Sequence, residues 1–157
     1  MTFSAGFSHT SLPMRVVFGS GRINDLPIEL DRLGLEHVMV ICTPTQLVAG
    51  RTVADLLGSR AHSAYPYAEM HVPVAVAAAA IDYARTHCID GCVTVGGGSS
   101  IGLGKAIALE TGLPTVALPT TYAGSEMTPI WGLPTTTARP PAGIQEFCPA
   151  PSSTILT

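Results

Sequence analysis

Short apolar runs alternate with amphipathic stretches along most of the chain, and the spacing predicts strand following helix in regular order. Residues 14–18 (MRVVF) read as a strand closed by Gly19-Ser20-Gly21. Ile23, Leu26, Leu30 and Leu33 recur at helical spacing, with Pro27 near the first turn and Gly34 as the stop. Residues 37–42 (HVMVIC) form a second strand, apolar along its length as a buried parallel strand should be. A helix opens at Thr43-Pro44, takes Ala49, Val53, Leu56 and Leu57 as its inner face, and ends at Gly58. Residues 61–67 give a weaker strand interrupted by Pro66, and residues 73–88 an alanine-rich helix closed by Cys-Ile-Asp-Gly. A strand at 92–95, a helix reaching Glu110 and a strand at 115–118 complete the alternation. This order predicts an α/β fold: a doubly wound, Rossmann-like, mainly parallel sheet with right-handed crossovers.

The stretch that organises the rest is CVTVGGGSSIGLGKAIA, residues 92–108. It reads as strand, phosphate loop and helix. Gly96, Gly97 and Gly98 carry no Cβ, so the backbone can turn sharply and lie against a diphosphate. The helix that follows would aim its free N–H groups and positive dipole end at the same place. Ser99 and Ser100 can add hydroxyl hydrogen bonds, or cap the helix. In a doubly wound sheet ligands sit at the carboxyl ends of the strands, where this turn falls.

Other phosphate loops fit less well. A Walker A loop requires glycine where Ser99 stands and a hydroxyl residue where Ala106 stands. The dinucleotide pattern G-x-G-x-x-G fails because Ile101 follows Gly96 and Gly98 at the third position. Gly98, Gly102 and Gly104 do give G-x-x-x-G-x-G, as in short-chain dehydrogenases. Those enzymes also need Tyr-x-x-x-Lys, and Lys105, the only lysine in the chain, has no tyrosine four residues before it.

Composition narrows the partners. The chain has 157 residues, 46% of them hydrophobic and 12% charged, with a net charge of −3. That suits one globular domain and argues against nucleic acid, which requires clustered cations. The cysteines at 42, 88, 92 and 148 lack zinc spacing and read as small core residues in a reducing compartment. His37 and His71 read as ordinary surface or hydrogen-bonded histidines rather than metal ligands. The N-terminus lacks the pattern of a signal peptide and no apolar run is long enough for a membrane span, so the expected location is cytoplasmic.

Residues 96–109 (GGGSSIGLGKAIAL) together with 118–130 (LPTTYAGSEMTPI) closely resemble the iron-containing alcohol dehydrogenase superfamily, and within it the maleylacetate reductases. Phe18-Gly19 with Gly21, Thr43-Pro44 and Met70-His71-Val72-Pro73 also resemble the reductase branch, so the resemblance spans about residues 10 to 132. It implies an N-terminal domain of the dehydroquinate synthase-like fold that binds NADH or NADPH, followed in relatives by a helical substrate domain not recognisable here. It also implies hydride transfer to a carbon–carbon double bond of maleylacetate, a dicarboxylate, giving 3-oxoadipate in aromatic-compound degradation. The alternatives are an iron-containing alcohol or hydroxy-acid dehydrogenase, and a non-catalytic nucleotide-binding module.

By matched position, Gly97, Gly98, Ser99 and Ser100 would bind the diphosphate, while Thr120, Thr121, Ser125 and Thr128 would line the nicotinamide half. Lys105 would contact phosphate or lie on a solvated helix face. Thr43 stands where many relatives hold the adenosine ribose with aspartate, which leaves NADPH open. Gly102 stands where the alcohol dehydrogenase branch usually has aspartate, which favours the reductase. The superfamily's iron or zinc ligands are not recognisable in this chain, so no metal residue is assigned. A homodimer through the first strand is compatible with the pattern.

The match is expected to stop at Gly132, dividing the chain into a cofactor-binding domain, 1–132, and a tail, 133–157. The tail holds five of the thirteen prolines and little apolar periodicity. It is expected to be flexible and unlike the family, as a shifted reading frame or a truncated gene would produce.

Overall fold

The computed structural model describes residues 14–121, Gly124, Met127 and the backbone of residues 153–156. Strands β1 (Met14–Val17), β2 (Val38–Ile41), β3 (Ala61–Tyr65), β4 (Gly91–Gly96) and β5 (Thr115–Pro119) fall where the apolar runs predict them, joined by a further strand, β6 (Ser153–Leu156). Between them lie helices α1 (Leu26–Leu33), α2 (Leu47–Leu57), α3 (Val74–Thr86) and α4 (Gly98–Thr111). Short 3₁₀ turns at Arg22–Asp25 and Pro44–Gln46 precede α1 and α2, so each helix starts later than its apolar spacing suggests.

The six strands form one sheet in the order β1-β6-β5-β4-β2-β3. All pairings are parallel. From β2 the chain moves outward to β3, then crosses back to β4 on the other side of β2 and continues to β5. The direction of winding therefore reverses between β2 and β4, the switch point at which doubly wound sheets place a ligand crevice beyond the carboxyl ends of the strands.

Both faces are covered, which explains why β2 and β4 are uninterruptedly buried. On one face Leu26 and Leu30 of α1 and Val53 and Leu57 of α2 pack on Val38, Val40, Val93 and Val116. On the other, Ala77, Ala80 and Ala84 of α3 and Leu103 and Ile107 of α4 pack on Met39, Ile41 and Cys92. Leu26 and Leu30 are completely buried, each contributing about 1.5–3 kcal/mol. Asp90 ties the entrances of two strands together: its carboxylate accepts from the Glu36 and His37 backbone N–H groups at 2.7 and 3.0 Å.

Some expectations are corrected. The inner face of α2 is Gly50, Val53 and Leu57, while Ala49 and Leu56 are exposed. Gly50 is selected because a Cβ there would lie 2.6 Å from the Cys42 sulfur, so the helix approaches β2 through its smallest residue. Cys42 and Cys92 are buried, but Cys88 is exposed, at φ 51° just past α3. Burial pushes the Cys92 thiol up to about 12; Cys148 lies outside the described residues.

Residues 153–156, placed by expectation in a flexible, non-family tail, instead form β6 between β1 and β5. The sequence Ser-Thr-Ile-Leu is rich in strand-forming residues, and it meets hydrogen-bonding partners on both sides. Residues 133–152, the rest of that expected tail, lie outside the described residues.

Candidate functional site

Strand β4 enters the glycine turn at Gly96, whose φ of 136° is open to glycine but strained for any L side chain. Gly97 caps the helix in extended conformation and α4 begins at Gly98. The first intrahelical bond runs from the Ile101 N–H to the Gly97 carbonyl, at 3.2 Å. The N–H groups of Gly98, Ser99 and Ser100 therefore have no acceptor within the helix and form its electropositive end.

The glycines do different jobs. A Cβ on Gly96 would overlap the Gln46 side-chain oxygen and stand 2.8 Å from Ser100 Oγ. A Cβ on Gly97 would stand 2.8 Å from Thr121 Oγ1. At Gly98, which is exposed, a Cβ would meet nothing within 4 Å. Gly96 and Gly97 are thus needed by the protein itself, whereas Gly98 faces open space over the helix end.

The second wall comes from β5. The Thr120 N–H donates to the Gly96 carbonyl at 3.1 Å, which draws the residues after β5 over the turn. Thr120 and Thr121 are both exposed there. Of the residues matched to a cofactor site, Gly97, Gly98, Ser99, Thr120 and Thr121 thus gather around one crevice. Ser100 lies beneath it: the residue is fully buried and its hydroxyl has no hydrogen-bond partner among the described residues. Ser125 and Thr128 lie outside the described residues.

Gln46 is a participant that sequence reasoning missed. It ends the 3₁₀ turn after β2 and reaches across Gly96, donating from Nε2 to Thr120 Oγ1 at 2.9 Å. Its Oε1 accepts from Thr43 Oγ1 at 3.3 Å. The side chain therefore spans the crevice from the end of β2 to the end of β5. A glutamine opening a helix looks like a solvated residue, and nothing in its spacing marks it otherwise. Lys105 is buried on α4, so the solvated helix face is excluded.

Histidines cluster elsewhere, at the amino end of the sheet. His62 is the extra residue of a β-bulge opposite Val38 and Met39. The bulge brings His62 Nδ1 within 3.0 Å of His37 Nε2 and its ring 4.6 Å from that of His87. Burial, then the proximity of His87 and His37, lowers the His62 pKa from its ordinary value. His71 is exposed, at φ 63°. Among the described residues, no three His, Cys, Asp or Glu side chains are placed to hold a metal ion.

Comparison with known proteins follows the same outline. The family model described as iron-containing alcohol dehydrogenase matches residues 13–156. The chain belongs to the iron-containing alcohol dehydrogenase family. The match continues past Gly132, where the resemblance was expected to end, and takes in β6. Within the family, the chain is 51% identical over 119 residues to a maleylacetate reductase of Burkholderia cepacia, covering 76% of this chain and 34% of the reductase. The crystal structure of maleylacetate reductase from Agrobacterium tumefaciens superposes with a TM-score of 0.86 at 38% identity, covering 97% of this chain and 43% of that one. Sulfoacetaldehyde reductase from Bifidobacterium kashiwanohense, solved in complex with NAD+, shares the fold with a TM-score of 0.77 at 21% identity, covering 97% of this chain and 46% of that one. This member of the iron-containing alcohol dehydrogenase family spans about a third of the length of the curated reductases it matches. No helix among its described residues is long and apolar enough to cross a membrane.

Proposed function

We propose that this chain is the cofactor-binding part of a maleylacetate reductase-type oxidoreductase, holding NADH or NADPH across the end of β4. The observation that carries the reading is the open space at Gly98 over the electropositive start of α4, in a chain 51% identical to a maleylacetate reductase. The N–H groups of Gly98 and Ser99 would hold the diphosphate, with Gly97 letting the backbone come close. Ser99 adds a hydroxyl donor, and Ser100 contributes its backbone N–H to the same diphosphate end of α4. Thr120 and Thr121, with Ser125 and Thr128, would line the nicotinamide half. When bound, the reduced nicotinamide supplies the hydride that converts maleylacetate, a dicarboxylate, to 3-oxoadipate. The described residues do not fit a metal site, and the reading assigns none. Cytoplasmic aromatic-compound degradation is the setting this activity implies.

Calorimetric titration with NADH and NADPH tests the reading, followed by an assay of NADH oxidation with maleylacetate. Saturable binding with maleylacetate-dependent oxidation is the expected result. Binding without turnover would reassign the chain as a nucleotide-binding module. No binding of either dinucleotide at millimolar concentration would overturn the reading.

A further inference from the structure

We propose that Gln46 is a cofactor-binding residue whose side-chain amide turns from Thr120 to donate a hydrogen bond to the diphosphate of the bound dinucleotide. The inference rests on the proposed function and adds to it a residue that the family resemblance did not supply.

Place is the first argument. Winding reverses between β2 and β4, and Gln46 leaves the end of β2 to cross Gly96 at the end of β4. Any ligand that runs from the adenosine side of this crevice to the helix end at Gly98 passes the Gln46 amide. The second argument is what surrounds it. A Cβ on Gly96 would fall between the Gln46 oxygen and Ser100 Oγ, so two polar groups flank one spot over the turn. One of them, the Ser100 hydroxyl, is completely buried and has no hydrogen-bond partner among the described residues. Buried hydroxyls are usually matched; Thr94 and Thr115 are also unmatched among the described residues, but of the three only Ser100 stands against the turn that Gln46 crosses.

A simple brace is the competing account, and exposure counts against it. Thr120, which accepts the Gln46 hydrogen bond, is exposed, so the bond trades freely with water and contributes little to stability. The same exchange makes the amide available to a stronger acceptor. A diphosphate oxygen is charged and accepts more strongly than a threonine hydroxyl. Glutamine is also neutral, so it approaches the diphosphate without the repulsion a carboxylate would bring.

The experiment measures NADH affinity by calorimetry and apo melting temperature for the wild type, Gln46→Ala, Gln46→Met and Gln46→Glu. Met keeps the bulk and removes the donor. Alanine and methionine should each weaken NADH roughly tenfold while moving the melting temperature by no more than about 2 °C, the loss of one exposed hydrogen bond. Glutamate should weaken it further, with the excess penalty shrinking in high salt because it is charge repulsion. Equal affinities for wild type and variants would overturn the role of Gln46 alone. So would glutamate binding as well as glutamine, since that outcome assigns the contact to a ribose hydroxyl. If the wild type itself binds no NADH, the proposed function falls and this inference with it.

Discussion

Substituting alanine at adjacent glycines of one turn should separate what the fold needs from what the ligand needs. Gly98 is the first residue of α4 and a Cβ there would touch nothing within 4 Å. Gly98→Ala therefore introduces no clash in the free protein, and helix propensity favours alanine by up to about 1 kcal/mol. For a chain of 157 residues, the melting temperature should hold steady or rise by roughly 2–4 °C. The added methyl occupies the space over the helix end, however, and holds a diphosphate away from the N–H groups of Gly98 and Ser99. Losing one or two charge-assisted hydrogen bonds should weaken NADH by roughly ten- to a hundredfold. Gly96→Ala is the contrast. Its φ of 136° carries a strain of about 1–3 kcal/mol for alanine, and its Cβ also displaces the Gln46 amide. With the Gln46–Thr120 bond, itself good for no more than about 2 °C, lost as well, the melting temperature should fall by roughly 2–14 °C. Differential scanning fluorimetry and calorimetric titration read both quantities. A Gly98→Ala protein that binds NADH as tightly as the wild type would show that the diphosphate does not lie over the start of α4.

Two further substitutions test the packing and charge described above. In Gly104→Ala the new Cβ would lie 2.5 Å from Thr94 Cγ2 and 3.4 Å from Thr115 Cγ2; overpacking should outweigh the helix gain by about 1–2 kcal/mol in urea denaturation. Thr94→Ser removes the obstructing methyl and should recover about half of that loss in the double variant; no coupling between the sites would refute the contact. Because the His62 pKa is lowered on folding, the unfolded chain binds the proton more readily. Stability is therefore whole above the ordinary histidine value near 6.5 and lost as pH falls through the lowered one. Urea midpoints should drop between about pH 7.5 and 5.5, and His62→Gln should flatten the drop; an unchanged slope would mean that His62 is not its source.

Much of this architecture is legible in the sequence because a sheet covered on both faces demands continuous apolar strands. Val38 to Ile41 and the strand before Gly96 have no polar face to disguise them. The glycine turn is legible for a different reason: three consecutive glycines followed by two serines exceed what a bare strand-to-helix turn requires. What escaped detection depends on contacts between distant residues. The face of α2 is set by Gly50 meeting Cys42, and a glycine carries no hydrophobic signal even when it makes the closest approach. β6 is four residues long and follows a proline-rich stretch, so only its non-local partners, β1 and β5, identify it as a strand. Gln46 gains meaning only when Thr120, distant in sequence, is brought opposite it.

Gly102 shows how packing can change the meaning of a sequence difference. Read from sequence, it is a glycine at a position where the family resemblance implies that the alcohol dehydrogenase branch usually has aspartate. In the fold it is also a gap that another residue uses. A Cβ at Gly102 would lie 2.9 Å from Cγ2 of Val72, which is buried against α4. Val72 reaches that position at φ 44°, next to His71 at 63°, conformations that a β-branched residue and its neighbour rarely share. Strain of this kind persists only where the surroundings hold it in place, and here Pro73 fixes one end while α4 supplies the hollow. The Met70-His71-Val72-Pro73 segment and Gly102 are thus one structural feature, written at two places in the chain. A larger residue at 102 would compete with Val72 for the same volume, so the glycine and the strained valine count as a single packing observation, not as two independent ones.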